Sequence, residues 1–225
     1  SIEMCGLAGI VLSRQGDLDE RVLLAMRDVQ SHRGPDEAGV YLGHGVGLGH
    51  RRLSIIDLSH GQQPMVDEAA GLALIYNGEL YNFKSLRAEL EALGTVFASH
   101  SDTEVLLRAW QQWGEACLPR LVGMFAFAVW DMRTQRIFLA RDQIGIKPLY
   151  YGFTSFGDLV FASELKGLLA HPGVERKLDP QALEDYLALG YVPDPKSIYR
   201  GIFKLPPGHW LSWRAGEPAP VACQY

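Results

Sequence analysis

Apolar residues in this chain fall into short unbroken runs more often than into alternating ones. Gly6–Leu12, Leu72–Tyr76 and Met124–Asp131 carry almost no polar residue, which predicts strands covered on both faces. Gly39–Leu42, Gly47–Ile56, Arg136–Arg141, Leu149–Phe153 and Leu159–Ala162 read as further strands. Met132–Gln135 and Ser155–Asp158 between them have the residues of hairpin loops. Helical spacing appears where Val22, Leu23, Met26 and Val29 follow Asp17, an N-cap with Glu20 three residues on. A second helix is predicted over Phe83–Leu93, stopping at Gly94. Ser101 and Glu104 form a capping box for a third, Asp102–Trp113, and Asp179 caps a Pro-started helix over Pro180–Leu189.

Helices among many non-alternating strands predict an α+β layered sandwich. Residues 5–178 read as one domain. From Asp179 proline becomes frequent, so 179–225 is expected to be a C-terminal wrap and the start of a linker, and the stop at Tyr225 reads as a truncation.

With 225 residues, 48% of them hydrophobic, the chain is long enough for a sizeable core. A net charge of −5 without a basic cluster argues against nucleic acid as a partner. The apolar runs fall far short of the ~20 residues that span a bilayer, and no signal peptide is visible, so no membrane association is expected. Three scattered cysteines suit a reducing, cytoplasmic setting. Neither they nor the seven histidines show metal-ligand spacing, so no metal site is expected.

Cys5 stands in Met4-Cys5-Gly6-Leu7-Ala8-Gly9. If Met4 starts the chain and is removed, Cys5 carries a thiol and a free α-amine, a nucleophile with a base attached. Alone, a cysteine in an apolar strand reads first as a small buried hydrophobe. Three other segments change the picture: His32-Arg33-Gly34-Pro35-Asp36, Tyr76-Asn77-Gly78-Glu79-Leu80-Tyr81-Asn82, and Arg141-Asp142-Gln143-Ile144-Gly145-Ile146-Lys147-Pro148. In this order and spacing the four resemble the glutaminase domain of class-II glutamine amidotransferases. Arg51–Asp57, Ala162–Lys166 and Leu205-Pro206-Pro207-Gly208-His209 resemble the subgroup of glutamine-hydrolysing asparagine synthetases.

The resemblance implies the four-layer αββα fold of the N-terminal-nucleophile hydrolases, and hydrolysis of L-glutamine to glutamate and ammonia. Cys5 is then the nucleophile, passing through a γ-glutamyl thioester. Asn77 (side-chain amide) and Gly78 (backbone N–H) would form the oxyanion hole. A plain Asn-Gly hairpin would lead into a second strand, whereas a helix follows here, so a strand-turn-helix junction is expected. Arg52 would clamp the substrate α-carboxylate; strand alternation puts Arg51 on the opposite face. The backbone at Leu53 and Ile55 would line the same pocket edge. Asp102 would bind the α-ammonium, left available because Ser101 is the cap, with Glu79 assisting beside the oxyanion turn. The charged loop His32–Asp36 is expected to shape the pocket mouth, with His32 not acting as a base, and Arg141, Asp142 and Lys147 to form an ion-pair network and loop framework.

Ser1–Glu3 read as cloning residues ahead of Met4, and with residues 1–4 attached the Cys5 nitrogen cannot serve as a base. No Gly-rich phosphate loop is present, so ATP and Mg are expected only in a C-terminal synthetase domain outside this chain, and no cofactor is expected for the glutaminase domain itself. Partners implied are glutamine and that domain, with room for a homodimer. The alternatives are another class-II amidotransferase with a different acceptor, or a non-catalytic glutamine-binding domain that would keep Arg52 and Asp102.

Overall fold

The computed structural model describes residues 5–53 and 62–225. In chain order the first strands are β1 (Gly6–Val11), β2 (Glu37–Gly43), β3 (Val46–Arg52), β4 (Met65–Asp67), β5 (Leu72–Leu80) and β6 (Gly123–Asp131). They are followed by β7 (Arg136–Arg141), β8 (Tyr150–Phe153), β9 (Leu159–Ala162), β10 (Ile202–Lys204), β11 (His209–Arg214) and β12 (Cys223–Gln224). The helices are α1 (Glu20–Asp28), α2 (Phe83–Ala92), α3 (Asp102–Trp113), α4 (Leu165–Leu169) and α5 (Pro180–Leu189).

Two six-stranded sheets result. The first runs β10-β8-β9-β1-β3-β2 and the second β12-β11-β7-β6-β5-β4, with the described pairings antiparallel. Helices α1 and α4 cover the first sheet through Ala8, Ile10, Leu23, Met26 and Leu168. Between the sheets lie Leu7, Val11, Leu48, Ile75, Ala126, Trp130 and Phe161. Leu74, Tyr76, Phe125 and Phe127 carry α2 and α3 on the far side, through Leu86, Leu90 and Val105. This is the αββα order expected. It explains the unbroken apolar runs: Leu7 faces one core and Ala8 the other, so neither side of the strand meets water.

Several local expectations are corrected. The N-cap of α1 is Asp19, whose carboxylate accepts from the Arg21 N–H at 3.0 Å, not Asp17. The Leu72–Tyr76 strand does not stop at Asn77-Gly78; β5 continues to Leu80 and pairs with β6 throughout. Residues 179–225, expected as a wrap leaving the core, supply an edge strand to the first sheet (β10) and, in β11, a five-residue partner to β7 in the second. The Ser101 cap is observed, its Oγ accepting from Glu104 N at 3.2 Å. Glu104 completes the box one step further out, accepting from the N–H groups of Ala98 and Ser99 at 2.9 and 2.6 Å. No helix among the described residues is long and apolar enough to cross a membrane.

Candidate active site

Cys5 sits half-buried at the head of β1, in the first sheet. Its N–H donates to Asn77 Oδ1 on β5, in the second sheet, at 3.1 Å. Strand alternation makes the contact: Ile75 faces the core between the sheets while Tyr76 and Leu80 face α3, so Asn77 points at the first sheet. Asn77 is 1% exposed, and its Nδ2 is buried without a partner among the described residues. A buried amide donor left unpaired is costly, and it is available to an oxygen brought into the site.

Gly78 offers its donor through the ladder itself. Tyr81 N bonds to Val122 O, towards β6, whereas Tyr76 N and Leu80 N turn the other way, to Gln63 Oε1 at 2.6 Å and Asp102 Oδ2 at 3.1 Å. Gly78 shares their direction. Its partner across the ladder, Phe125, spends its own N–H and C=O on Asp142 Oδ2 and Asp142 N, so Gly78 and Phe125 form a non-hydrogen-bonded pair. The Gly78 N–H therefore points off the ladder without needing the turn the sequence suggested. A Cβ here would lie 2.2 Å from Met124 O, so only glycine fits.

Arg51 and Arg52 diverge as alternation predicts. Arg51 reaches back to Asp28 of α1 at 2.8 Å, whereas the buried Arg52 pairs with Glu37 Oε2 of β2 at 3.1 Å, its register partner. The Leu53 backbone N–H lies near enough to Cys5 to act on its thiol. Burial pushes the Cys5 thiol above its ordinary range; the Leu53 N–H and the charges of Arg52, Lys147 and Arg33 pull it back without cancelling that rise. A protonated thiol needs a base to become a nucleophile.

At the start of α3, Asp102 Oδ2 accepts from Tyr76 Oη at 2.8 Å as well as from Leu80 N. Burial raises its carboxyl, against those hydrogen bonds. Glu79 is exposed on β5 beside Gly78. Ile55 lies outside the described residues.

Arg33, Lys147 and His50 were given no role beside Cys5 from sequence. Arg33 donates through Nε to Cys5 O at 3.0 Å and through Nη1 to Glu164 at 2.9 Å. His32, read as shaping the pocket mouth, also meets Glu164, at 3.0 Å. Lys147 is 2% exposed, its ammonium depressed by burial and by Arg33. His50, 1% exposed, bonds through Nε2 to Tyr76 O at 3.0 Å. Arg33 and Lys147 lie in motifs visible in the sequence, but nothing local said that they converge on Cys5. Arg141 and Asp142 do form a framework: Arg141 donates to the carbonyls of Lys147, Leu205 and Gly145, and Asp142 accepts from Phe125, Ile144, Ile146 and Lys147 N–H groups. Among the described residues no group of three or more His, Cys, Asp or Glu could hold a metal ion.

A family model described as a glutamine amidotransferase domain matches residues 4–223. Asparagine synthetase [glutamine-hydrolyzing] 3 of Bacillus subtilis is 41% identical over 215 residues, covering 93% of this chain and 35% of the relative. A putative asparagine synthetase of Mycobacterium bovis is 39% identical over 242 residues, covering 99% of this chain and 37% of the relative. The chain thus spans about a third of the length of these curated relatives. Among solved structures, the glutamine phosphoribosylpyrophosphate amidotransferase of B. subtilis superposes with a TM-score of 0.71 at 19% identity, over 98% of this chain and 49% of that one, a likeness of fold.

Proposed function

We propose that this chain, which belongs to the glutamine amidotransferase domain family, hydrolyses L-glutamine to glutamate and ammonia with Cys5 as nucleophile. The observation that carries the reading is the 3.1 Å bond between Cys5 N and Asn77 Oδ1, which leaves Nδ2 of the same buried amide unpaired beside the nucleophile. With Cys5 as first residue, its α-amine takes the thiol proton as sulfur attacks the carboxamide carbon. The oxyanion settles against Asn77 Nδ2 and the Gly78 N–H. Collapse breaks the C–N bond, the amine returns the proton to the departing ammonia, and water hydrolyses the γ-glutamyl thioester to glutamate and free thiol.

Arg52 binds the substrate α-carboxylate through its buried guanidinium, with the Leu53 backbone and Ile55 along the same edge, while Asp102 takes the α-ammonium, helped by Glu79. The curated relatives are named as glutamine-hydrolysing asparagine synthetases and are longer than this chain. The ammonia is accordingly assigned to a C-terminal, ATP- and Mg-dependent synthetase domain that amidates an acid such as aspartate, in the cytoplasm.

Glutamate release from a chain trimmed to begin at Cys5 tests the hydrolysis. Release should vanish in Cys5→Ala, fall sharply when residues 1–4 are retained, and be indifferent to a chelator. Equal release by trimmed chain and Cys5→Ala would overturn the nucleophile.

A further inference from the structure

One hydrogen bond joins the two sheets immediately beside the oxyanion donors. His50 lies on β3 in register with Leu7 of β1, two residues beyond Cys5. It shares a strand face with Val46 and Leu48, so its ring enters the core between the sheets. There Nε2 meets Tyr76 O at 3.0 Å, and that carbonyl belongs to the peptide group that supplies the Asn77 N–H. A carbonyl only accepts, so Nε2 carries the proton and Nδ1 is a bare acceptor. Nδ1 is buried without a partner among the described residues. Burying such an atom is unfavourable, and an apolar side chain would fill the space at less cost. The ring earns its place through the other nitrogen.

We propose that His50 is a positioning residue for glutamine hydrolysis: its imidazole fixes Asn77-Gly78 on the second sheet at a set distance from Cys5 on the first. The inference rests on the glutaminase reading above. The Cys5–Asn77 bond runs between the reacting groups themselves and is no independent gauge of their separation. The His50–Tyr76 bond stands two residues along the Cys5 strand, at the register position of Leu7, and one residue back along the Asn77 strand, at Tyr76. His50 is not a competing base, since burial opposes a charge on the ring and so opposes proton uptake at the bare Nδ1. Burial, with the nearby charge of Arg52 adding to it, keeps the ring neutral down to about pH 4.

Steady-state hydrolysis of L-glutamine by the chain beginning at Cys5 tests the proposal with two neutral amides. In His50→Gln the amide nitrogen stands as many bonds from Cα as Nε2 does; in His50→Asn it falls one methylene short. His50→Asn should lower kcat about 10–100-fold with KM within about threefold of wild type, the penalty of a reacting group displaced by a fraction of an ångström to one. His50→Gln should keep kcat within about fivefold and leave the pH profile of kcat unchanged. A folded His50→Asn with wild-type kcat, or a folded His50→Gln as impaired as His50→Asn, would overturn it. Should His50→Asn not fold, His50→Gln still decides: retained kcat supports the proposal and a fall beyond about tenfold ends it. A wild-type chain without Cys5-dependent glutamate release would fell the glutaminase reading and this inference together. Full wild-type activity beside an indifferent His50→Asn would fell this inference alone.

Discussion

Both ends of the Asn77 amide bear on the proposal: Oδ1 holds the Cys5 nitrogen, and Nδ2, buried without a partner among the described residues, is the proposed donor to the substrate. Removing it should therefore act on the transition state more than on binding. Asn77→Ala is expected to lower kcat for glutamine ~10²–10³-fold with KM little changed. Arg52 makes the opposite prediction. Its planar guanidinium can grip both oxygens of a carboxylate while keeping Glu37 as neighbour, whereas a lysine offers a single point charge. Arg52→Lys should raise KM for glutamine by about tenfold or more while kcat is largely kept. Steady-state kinetics on the two variants separate the roles; a KM effect at Asn77 or a pure kcat effect at Arg52 would contradict the assignment.

Among the elements, β5 bears most on the site. Asn-Gly is a tight-turn pair by local preference, and the helix at Phe83 made a turn before it plausible. In the fold the pair stays in the strand because β6 supplies a partner for every residue from Leu72 to Leu80. The same pairing brings the β6 backbone so close that Gly78 has no room for a side chain, with Met124 O at 2.2 Å and Phe125 Cα at 2.8 Å from a Cβ placed there. Gly78→Ala is expected to cost about 1–3 kcal/mol, since neither backbone atom can rotate aside. A denaturant or thermal midpoint equal to wild type would refute that packing. Helix α3 shows the complementary economy: Ser101 caps its first turn and Glu104 holds the loop before it, leaving Asp102 to Tyr76 and Leu80 of β5.

At the scale of the molecule, stacking two sheets buries polar groups between them, and His50 links that burial to pH. Its native pKa is lowered to about 4 against an ordinary 6.5, with desolvation the main cause. Between those values the unfolded chain takes up a proton that the native ring refuses, so stability is present above pH 6.5 and lost on acidification towards 4. For this buried ring the loss amounts to about 3 kcal/mol. Asp102, whose carboxyl is raised by burial, acts with the opposite sign, so the clean measurement is a difference. Unfolding free energy followed from pH 7 to pH 4 should fall less steeply in His50→Gln than in wild type; identical slopes would refute a neutral buried His50. The sequence by itself determined the doubly covered strands, most helix ends and the motifs from which candidate site residues are drawn, because apolar runs, caps and short motifs depend on neighbours along the chain. It misplaced the α1 cap, where two aspartates compete within one turn, and read Asn77-Gly78 as a turn, where pairing with β6 overrode local preference. Only the tertiary structure decided that Cys5 and Asn77, 72 residues apart, share a hydrogen bond, and that Arg33, Lys147 and His50 gather around them. Those separations are set by the filling of the core between the two sheets, to which residues from the whole length of the chain contribute.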